Sequence, residues 1–271
     1  MKKVPSIALI GAGSMGGALL KGWLAAGSIV SETSAVFDPN IDERIAAQCE
    51  RSGVFVNPSE FASFDFVVLA VKPQIAPSAL PSYADIFKGG AVAISVMAGL
   101  SVDTISAHLG AAEKIIRTMP NLPASIGKGA TGLFAASAVT DHERKAADRL
   151  MKAAGETVWV ENEEGIDLVT AVSGSGPAYF FLMTEALAEA AEALGLSPAT
   201  AERLARATLT GAGALLEQES RTAGEMRKAV TSPGGTTEAA LRILDGDDKA
   251  LRRLMEKAAA AAGERAAALS S

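Results

Sequence analysis

The stretch "LIGAGSMGG", residues 9–17, follows a short apolar run, Ile7 to Ile10, and leads into "MGGALLKGWLAAG", which has helical spacing. Gly11, Gly13 and Gly16 stand at the offsets of a dinucleotide loop. In such a loop the first glycine permits a sharp turn. The second lets the backbone approach a pyrophosphate, and the third lets the helix pack on the strand. The free N–H groups at the helix start then face the phosphates. Glycine-rich turns are common, so the spacing alone is weak evidence. A strand before it and a helix after it make the phosphate-loop reading much the stronger one.

Working outward, apolar and β-branched runs alternate with helical patterns through the first half. "IALIG", "SAVFD", "FDFVVLAV", "AVAISVMA", "KIIRTM", "TGLFAA" and "ETVWVE" read as strands. Residues 15–26, 41–51, 102–109 and 141–154 read as helices, the last opened by a Thr140–Glu143 capping box and closed by Gly155. This alternation predicts a mostly parallel sheet with helical crossovers. The strand from Phe66 is apolar on both faces, as a strand covered on both sides requires. Pro73, Pro77 and Pro81 break the segment 72–87 into short turns. "SAVFD" ends at Asp38, 22 residues after Gly16, where a carboxylate accepts hydrogen bonds from an adenosine ribose. "DPN" (38–40) is equally a turn signal, and both readings stand. The nearest cation in the sequence is Arg44.

After residue 160 the pattern becomes helical, alanine- and leucine-rich. Ser197–Pro198 forms an N-cap with proline at the first helical position, and Thr222–Glu225 repeats the capping-box spacing. The expected fold is α/β: an N-terminal Rossmann-type domain, residues 1–162, followed by an all-α domain, residues 163–271. Alanine-rich helices this poor in aromatic groups gain burial by packing on a second copy.

The 271 residues are 49% hydrophobic and 21% charged, enough for a sizeable core. A net charge of -6 argues against nucleic acid as partner. Cys49 stands alone and reads as a small apolar helix residue, and no Cys/His cluster offers a metal site. "MKKVPSIALIGAG" lacks the long apolar region of a secretory signal, and no apolar stretch reads as an uninterrupted membrane span. A soluble, cytoplasmic protein is expected.

Two hydroxyl-rich motifs interrupt the helical half. "VSGSGPAYFF" (172–181) carries Ser173, Gly174, Ser175 and Gly176; "TSPGGTTEAAL" (231–241) places Thr236 and Thr237 where a helix starts. Free N–H groups with hydroxyls alongside form a carboxylate cradle. His108 and His142 lie in ordinary helical patterns of the first domain, away from the glycine loop, neither placed as a general acid. A substrate that carries its own proton, as an iminium does, fits that absence.

Taken in order, "IGAGSMGGAL", "VLAVKPQ", "SVMAGLS", "IIRTMPNLPASIGKGATGL", "VSGSGPAYFF" and "VTSPGGTTEAAL" resemble pyrroline-5-carboxylate reductases from about residue 5 to about residue 245. The resemblance implies reduction of 1-pyrroline-5-carboxylate to L-proline by NADPH or NADH, the last step of proline synthesis. It also implies a homodimer through the helical domain, often assembled into larger rings. By motif it puts the pyrophosphate on Ala12, Gly13, Ser14, Met15 and Gly16, with Asn57 near the adenosine. Ala70, Val71, Lys72 and Pro73 would line the cofactor groove, and Ala98 and Gly99 would lie near the nicotinamide. Ser232, Gly234, Gly235, Thr236 and Thr237 would bind the substrate carboxylate. The Thr237 hydroxyl would sit at the ring nitrogen and Ser175 beside the same pocket, as the catalytic candidates. Many members hold the 2′-phosphate of NADPH with basic residues where this chain has Asp38–Pro39. Leu122 stands where threonine is common. Two alternatives remain: a β-hydroxyacid dehydrogenase-like oxidoreductase, whose lysine is missing after "SGSGP", and a dinucleotide-binding protein without turnover.

Overall fold

The computed structural model describes residues 4–60 and 63–270; Lys2 and Lys3 of the N-terminal motif lie outside them. Packing divides the chain into two compact units, Met1–Ser175 with Ala262–Ser271, and Gly176–Ala261.

The first unit holds an eight-stranded sheet: β1 (Ile7–Ile10), β2 (Ala35–Phe37), β3 (Phe55–Val56), β4 (Phe66–Leu69), β5 (Val92–Ser95), β6 (Ile115–Met119), β7 (Gly129–Ala135) and β8 (Gly155–Trp159). The strand order is β3-β2-β1-β4-β5-β6-β7-β8, and every neighbouring pair is parallel except β6–β7. Between the strands run α1 (Ser14–Ala26), α2 (Glu43–Ser52), α3 (Ala76–Ala79), α4 (Ala84–Phe87), α5 (Val102–His108) and α6 (Asp141–Lys152). The expected strands and helices are present, together with the two-residue β3, which the sequence pattern did not reveal. The three prolines of 72–87 produce short helical turns joined by 3-10 segments.

Alternation along each strand builds two cores. Ile7, Leu9, Phe66 and Val68 face Leu19, Leu20 and Trp23 of α1 and Leu150 and Met151 of α6. Ala8, Ile10, Val67 and Leu69 face Leu80, Ile86, Phe87 and Ile105. The Trp23 indole donates to the Leu150 carbonyl at 2.9 Å, so the largest buried side chain has its polar atom satisfied. Cys49 is buried in α2, and burial pushes its thiol up from the usual value.

Gly155 does not cap α6. The cap is Ala153, closed by bonds to the Leu150 and Met151 carbonyls. Gly155 instead opens β8 with φ 137°, and a Cβ there would fall 2.1 Å from the Gly129 carbonyl oxygen. Close approach of β8 to β7 is what demands glycine.

Past β8, α7 (Gly165–Val169) packs on β6 and β7, so it belongs to the sheet unit although its sequence has the helical character of the C-terminal half. The second unit contains α8 (Gly176–Ala193), α9 (Pro198–Gln218), α10 (Ala223–Ala229) and α11 (Thr236–Asp245). It also contains the first part of α12 (Ala250–Ser270), and α8 packs against α9. Ser197 and Thr222 cap their helices as their spacing predicts. Ala201 and Ala205 are buried here, whereas Phe180, Phe181, Leu182 and Leu204 are more than half exposed.

Gly165–Ala193 is one helical stretch, long and apolar enough by length and composition to cross a membrane. This corrects the expectation that no such run exists. The sequence reading broke the stretch at "SGSGP", but a π-helical segment, Thr170–Gly174, carries the helix through those residues.

Candidate active site

A groove of about 550 Å³ opens at the C-terminal ends of β1, β2 and β4, lined by Gly11, Gly13, Asp38, Asn40, Ala70, Val71 and Lys72. The neighbouring strands β1 and β4 connect in opposite directions, β1 to β2 and β4 to β5, which opens a crevice between them. The three glycines differ in what they permit. Gly11 has φ 92°, and a Cβ on it would meet the Ala70 carbonyl oxygen at 2.7 Å. A Cβ on Gly16 would fall 2.1 Å from the Gly11 oxygen. A Cβ on Gly13 would meet nothing within 4 Å. The protein's own packing therefore does not require glycine at 13. Gly13 is the N-cap of α1, with no side-chain cap, and the first turn carries no acid. These are the conditions for holding a dinucleotide pyrophosphate. Ser14, Met15 and Gly16 form that first turn.

Asp38 performs the turn role and also reaches the glycine loop. Its Oδ1 accepts the Asn40 N–H at 2.8 Å, and its Oδ2 accepts the Ala12 N–H at 2.7 Å. Each oxygen keeps a second lone pair for a ligand hydroxyl. Asn57 braces Asp38 from behind: its side chain bonds both the N–H and the carbonyl of Asp38, each at 2.9 Å. Asn57 is not among the groove-lining residues, and Pro73 starts the 3-10 turn after Lys72. Arg44, the nearest cation in the sequence, pairs with Asp42 at 3.0 Å, while the fold brings Lys72 to the groove. Ile10 and Pro39 also line it, as do Phe37, Ile75, Ala79, Ser82 and Tyr83, which were not anticipated. Burial, followed by the charge of Asp38, holds the Tyr83 hydroxyl above its usual pKa. A proline-broken segment gave no pattern from which to find them.

The loop with Ala98 and Gly99 is held at both ends. Met97 N–H donates to Ser95 Oγ at 3.2 Å, and Val102 N–H donates to Glu163 Oε1 at 2.7 Å. Arg117, buried on β6, donates to the same Glu163 oxygen at 2.6 Å. Gly99 has φ 71°, and a Cβ there would lie 3.0 Å from Leu269, so the end of α12 covers this loop. The only sequence sign of the brace was a charged residue within the apolar "KIIRTM".

The "MPN" and "SGSG" motifs meet. Asn121 Nδ2 donates to the Ser173 carbonyl at 3.0 Å, and the Met119 methyl lies 3.0 Å from where a Gly174 Cβ would be. Ser175, half-buried, donates its N–H to the Thr170 carbonyl at 2.8 Å and ends the π segment.

In the helical unit, Pro233 and Gly234 turn the chain into α11. Gly234 has φ 71°, and the Gly235 N–H closes the turn on the Ser232 carbonyl at 3.0 Å. The Gly234 N–H is taken by Glu238 Oε2 at 2.9 Å. Of the expected cradle, Gly234 and Gly235 thus supply shape. Thr236 and Thr237, at the first two helical positions, present N–H groups that no preceding turn can accept. Beyond the turn, Asp245 accepts from Arg252 at 2.5 Å and from Arg227 at 2.6 Å, tying α12 and α10 to the end of α11. The Arg252 hydrogen bond leads in holding the Asp245 carboxyl down to about 2.

The family model "Pyrroline-5-carboxylate reductase dimerisation" matches residues 163–269. The pyrroline-5-carboxylate reductase of Pseudomonas aeruginosa is 39% identical over 267 residues, 98% of this chain and 97% of the relative. The chain belongs to the pyrroline-5-carboxylate reductase family. A Bacillus subtilis member, pyrroline-5-carboxylate reductase 2, is 38% identical, covering 90% of this chain and 87% of the relative. A solved pyrroline-5-carboxylate reductase from Coxiella burnetii has 37% identity and a TM-score of 0.90, covering 99% of this chain and all of its own. The Plasmodium falciparum structure, solved with NADP bound, has 26% identity and a TM-score of 0.79, covering 98% of each chain. A second model, "NADP oxidoreductase coenzyme F420-dependent", matches residues 6–99, the part that builds the groove. The dimerisation match spans the helices whose apolar side chains stand exposed, so oligomerisation explains a unit with so little burial of its own.

Proposed function

We propose that this chain reduces 1-pyrroline-5-carboxylate to L-proline with NADPH or NADH, the final step of proline synthesis. The observation that carries the reading is the head of α11, an uncapped helix start flanked by the Thr236 and Thr237 hydroxyls. It suits the carboxylate of a small imino acid. Thr236 and Thr237 N–H groups hold that carboxylate and thereby the ring, and the Thr237 hydroxyl hydrogen-bonds the ring nitrogen. The reduced nicotinamide supplies the hydride. The nitrogen of the protonated C=N bond already carries its proton, so the chain needs no general acid at that atom. Its contribution is orientation and electrostatic placement. Ser175 belongs to the same reading as a hydroxyl beside the pocket.

The cofactor is held at its pyrophosphate by Ala12 to Gly16 and at the adenosine ribose by Asp38, with Asn57 keeping Asp38 in place. Ala70, Val71 and Lys72 form the opposite wall, with Pro73 turning the chain after them, and Ala98 and Gly99 serve the nicotinamide end. Asp38 favours NADH by repelling a 2′-phosphate; Lys72, the one cation among the groove-lining residues, is what keeps NADPH in play. The assembly is a homodimer through the helices, and the protein works in the cytoplasm.

The hydroxyacid dehydrogenase alternative needs a lysine on the helix after its glycine-rich motif, and α8 contains none. Loss of reduced-nicotinamide absorbance is followed with pyrroline-5-carboxylate, with a 2- or 3-hydroxy acid in the reverse direction, and with cofactor alone. Turnover confined to the imino acid is the expected result. Turnover of the hydroxy acid, or of neither, refutes the assignment.

A further inference from the structure

Resting on the reading that the Ser232–Thr237 turn binds the substrate carboxylate, we propose that Glu238 is a positioning residue for that turn and that Arg242 cancels its charge there. Glu238 occupies the third helical position of α11. A glutamate at that position usually reaches back to the N-cap N–H. Here Oε2 reaches one residue further, to the Gly234 N–H at 2.9 Å. The same oxygen accepts Arg242 Nη2 at 3.2 Å, one helical turn on.

The first consequence is geometric. Gly234 sits in the left-handed region at φ 71°, where glycine has the most freedom to leave. Tying its N–H to the helix it precedes fixes the direction in which the chain enters α11. The Thr236 and Thr237 N–H groups are thereby aimed before any ligand arrives. The second consequence is electrostatic. A carboxylate at a helix start competes with an anionic substrate for the same positive end of the helix. The Arg242 guanidinium on Glu238 offsets that repulsion. Glu238 touches no substrate atom in this scheme; it acts through Gly234.

The test uses the full chain and three variants. Glu238→Gln keeps an acceptor for the Gly234 N–H and removes the charge. Glu238→Ala removes both. Arg242→Ala leaves the charge of Glu238 uncompensated. At saturating cofactor, the KM for pyrroline-5-carboxylate should be at least about threefold higher in Glu238→Ala than in Glu238→Gln. The cofactor KM should be equal in the two and kcat should change less than KM. In Arg242→Ala the substrate KM should rise about two- to fivefold. That rise should vanish at high salt, because it is a screened charge effect. Equal substrate KM in the two Glu238 variants, even with a lowered Tm, overturns the proposal and leaves Glu238 a helix cap. A salt-independent effect of Arg242→Ala overturns the electrostatic half. Thr237→Ala, measured alongside, separates this from the reading beneath it. If Thr237→Ala is impaired and the Glu238 variants agree with each other, only the Glu238 proposal fails. If Thr237→Ala matches an active parent, or the parent does not turn over the imino acid, both fail.

Discussion

Changing Gly13 to alanine should weaken cofactor binding strongly while leaving the fold nearly untouched. Gly13 has φ -66° and ψ -161°, at the edge of the extended region and outside the left-handed one, and its added methyl would meet no protein atom within 4 Å. The only loss to the free protein is a poorer N-cap, about 1 kcal/mol or less. In a chain of this size that lowers Tm by about 2–4 °C. The methyl would stand where the pyrophosphate must approach the helix start. Losing one charge-assisted hydrogen bond to that group costs about 1.5–3 kcal/mol, or roughly ten- to 150-fold in Kd. Gly16→Ala is the contrast. Its methyl would fall 2.1 Å from the Gly11 oxygen and 3.2 Å from the Ala70 Cβ. Backbone atoms cannot swing aside, so overpacking should cost about 1–3 kcal/mol or more and lower Tm well beyond the Gly13 variant. Fluorescence titration with the reduced cofactor gives Kd, and thermal melts give Tm. A Gly13→Ala protein with the parent Kd refutes the phosphate-loop reasoning. So does one that melts as low as Gly16→Ala.

Thr237→Ala should retain the parent melting profile within a few degrees and lower kcat by about a hundred- to a thousandfold, the scale of one lost transition-state hydrogen bond; steady-state rates at saturating substrate decide it. Asp38→Ser with Pro39→Arg should shift kcat/KM toward NADPH by about ten- to a hundredfold. A serine can still accept the Asn40 N–H, but the brace to Ala12 is lost, so both cofactors should bind somewhat more weakly; a parent that already strongly prefers NADPH would refute the ribose role of Asp38. Light scattering at micromolar concentration should give at least a dimer, because the exposed Phe180, Phe181 and Leu182 need cover; a monomer contradicts the dimer reading.

Much of the sheet unit was legible because its signals are local. Strand alternation, the tight glycine turn between β1 and α1 and the capping boxes are all set within a few residues of where they act, and each appears in the structure. Gly155 misled because a glycine after a helix has two uses, and only the position of Gly129 on a neighbouring strand shows which applies. The long helix through "SGSGP" was hidden because a π segment admits glycines and serines that ordinary helix propensity counts as a break.

By itself, the sequence determined the strand–helix alternation, the glycine loop, the hydroxyl-rich turn before α11 and the family these motifs resemble. Each depends on periodicity or on residue type at short spacing. Tertiary structure alone decided which residues far apart in the chain serve the site. It put Tyr83 in the groove with Asp38 while Arg44 pairs elsewhere. It placed the Arg117–Glu163 pair under the start of α5 and the end of α12 over Gly99. It also showed that a Cβ on Gly13 would meet no protein atom within 4 Å. Those facts depend on through-space distances between elements, and periodicity along a chain carries no record of what lies opposite.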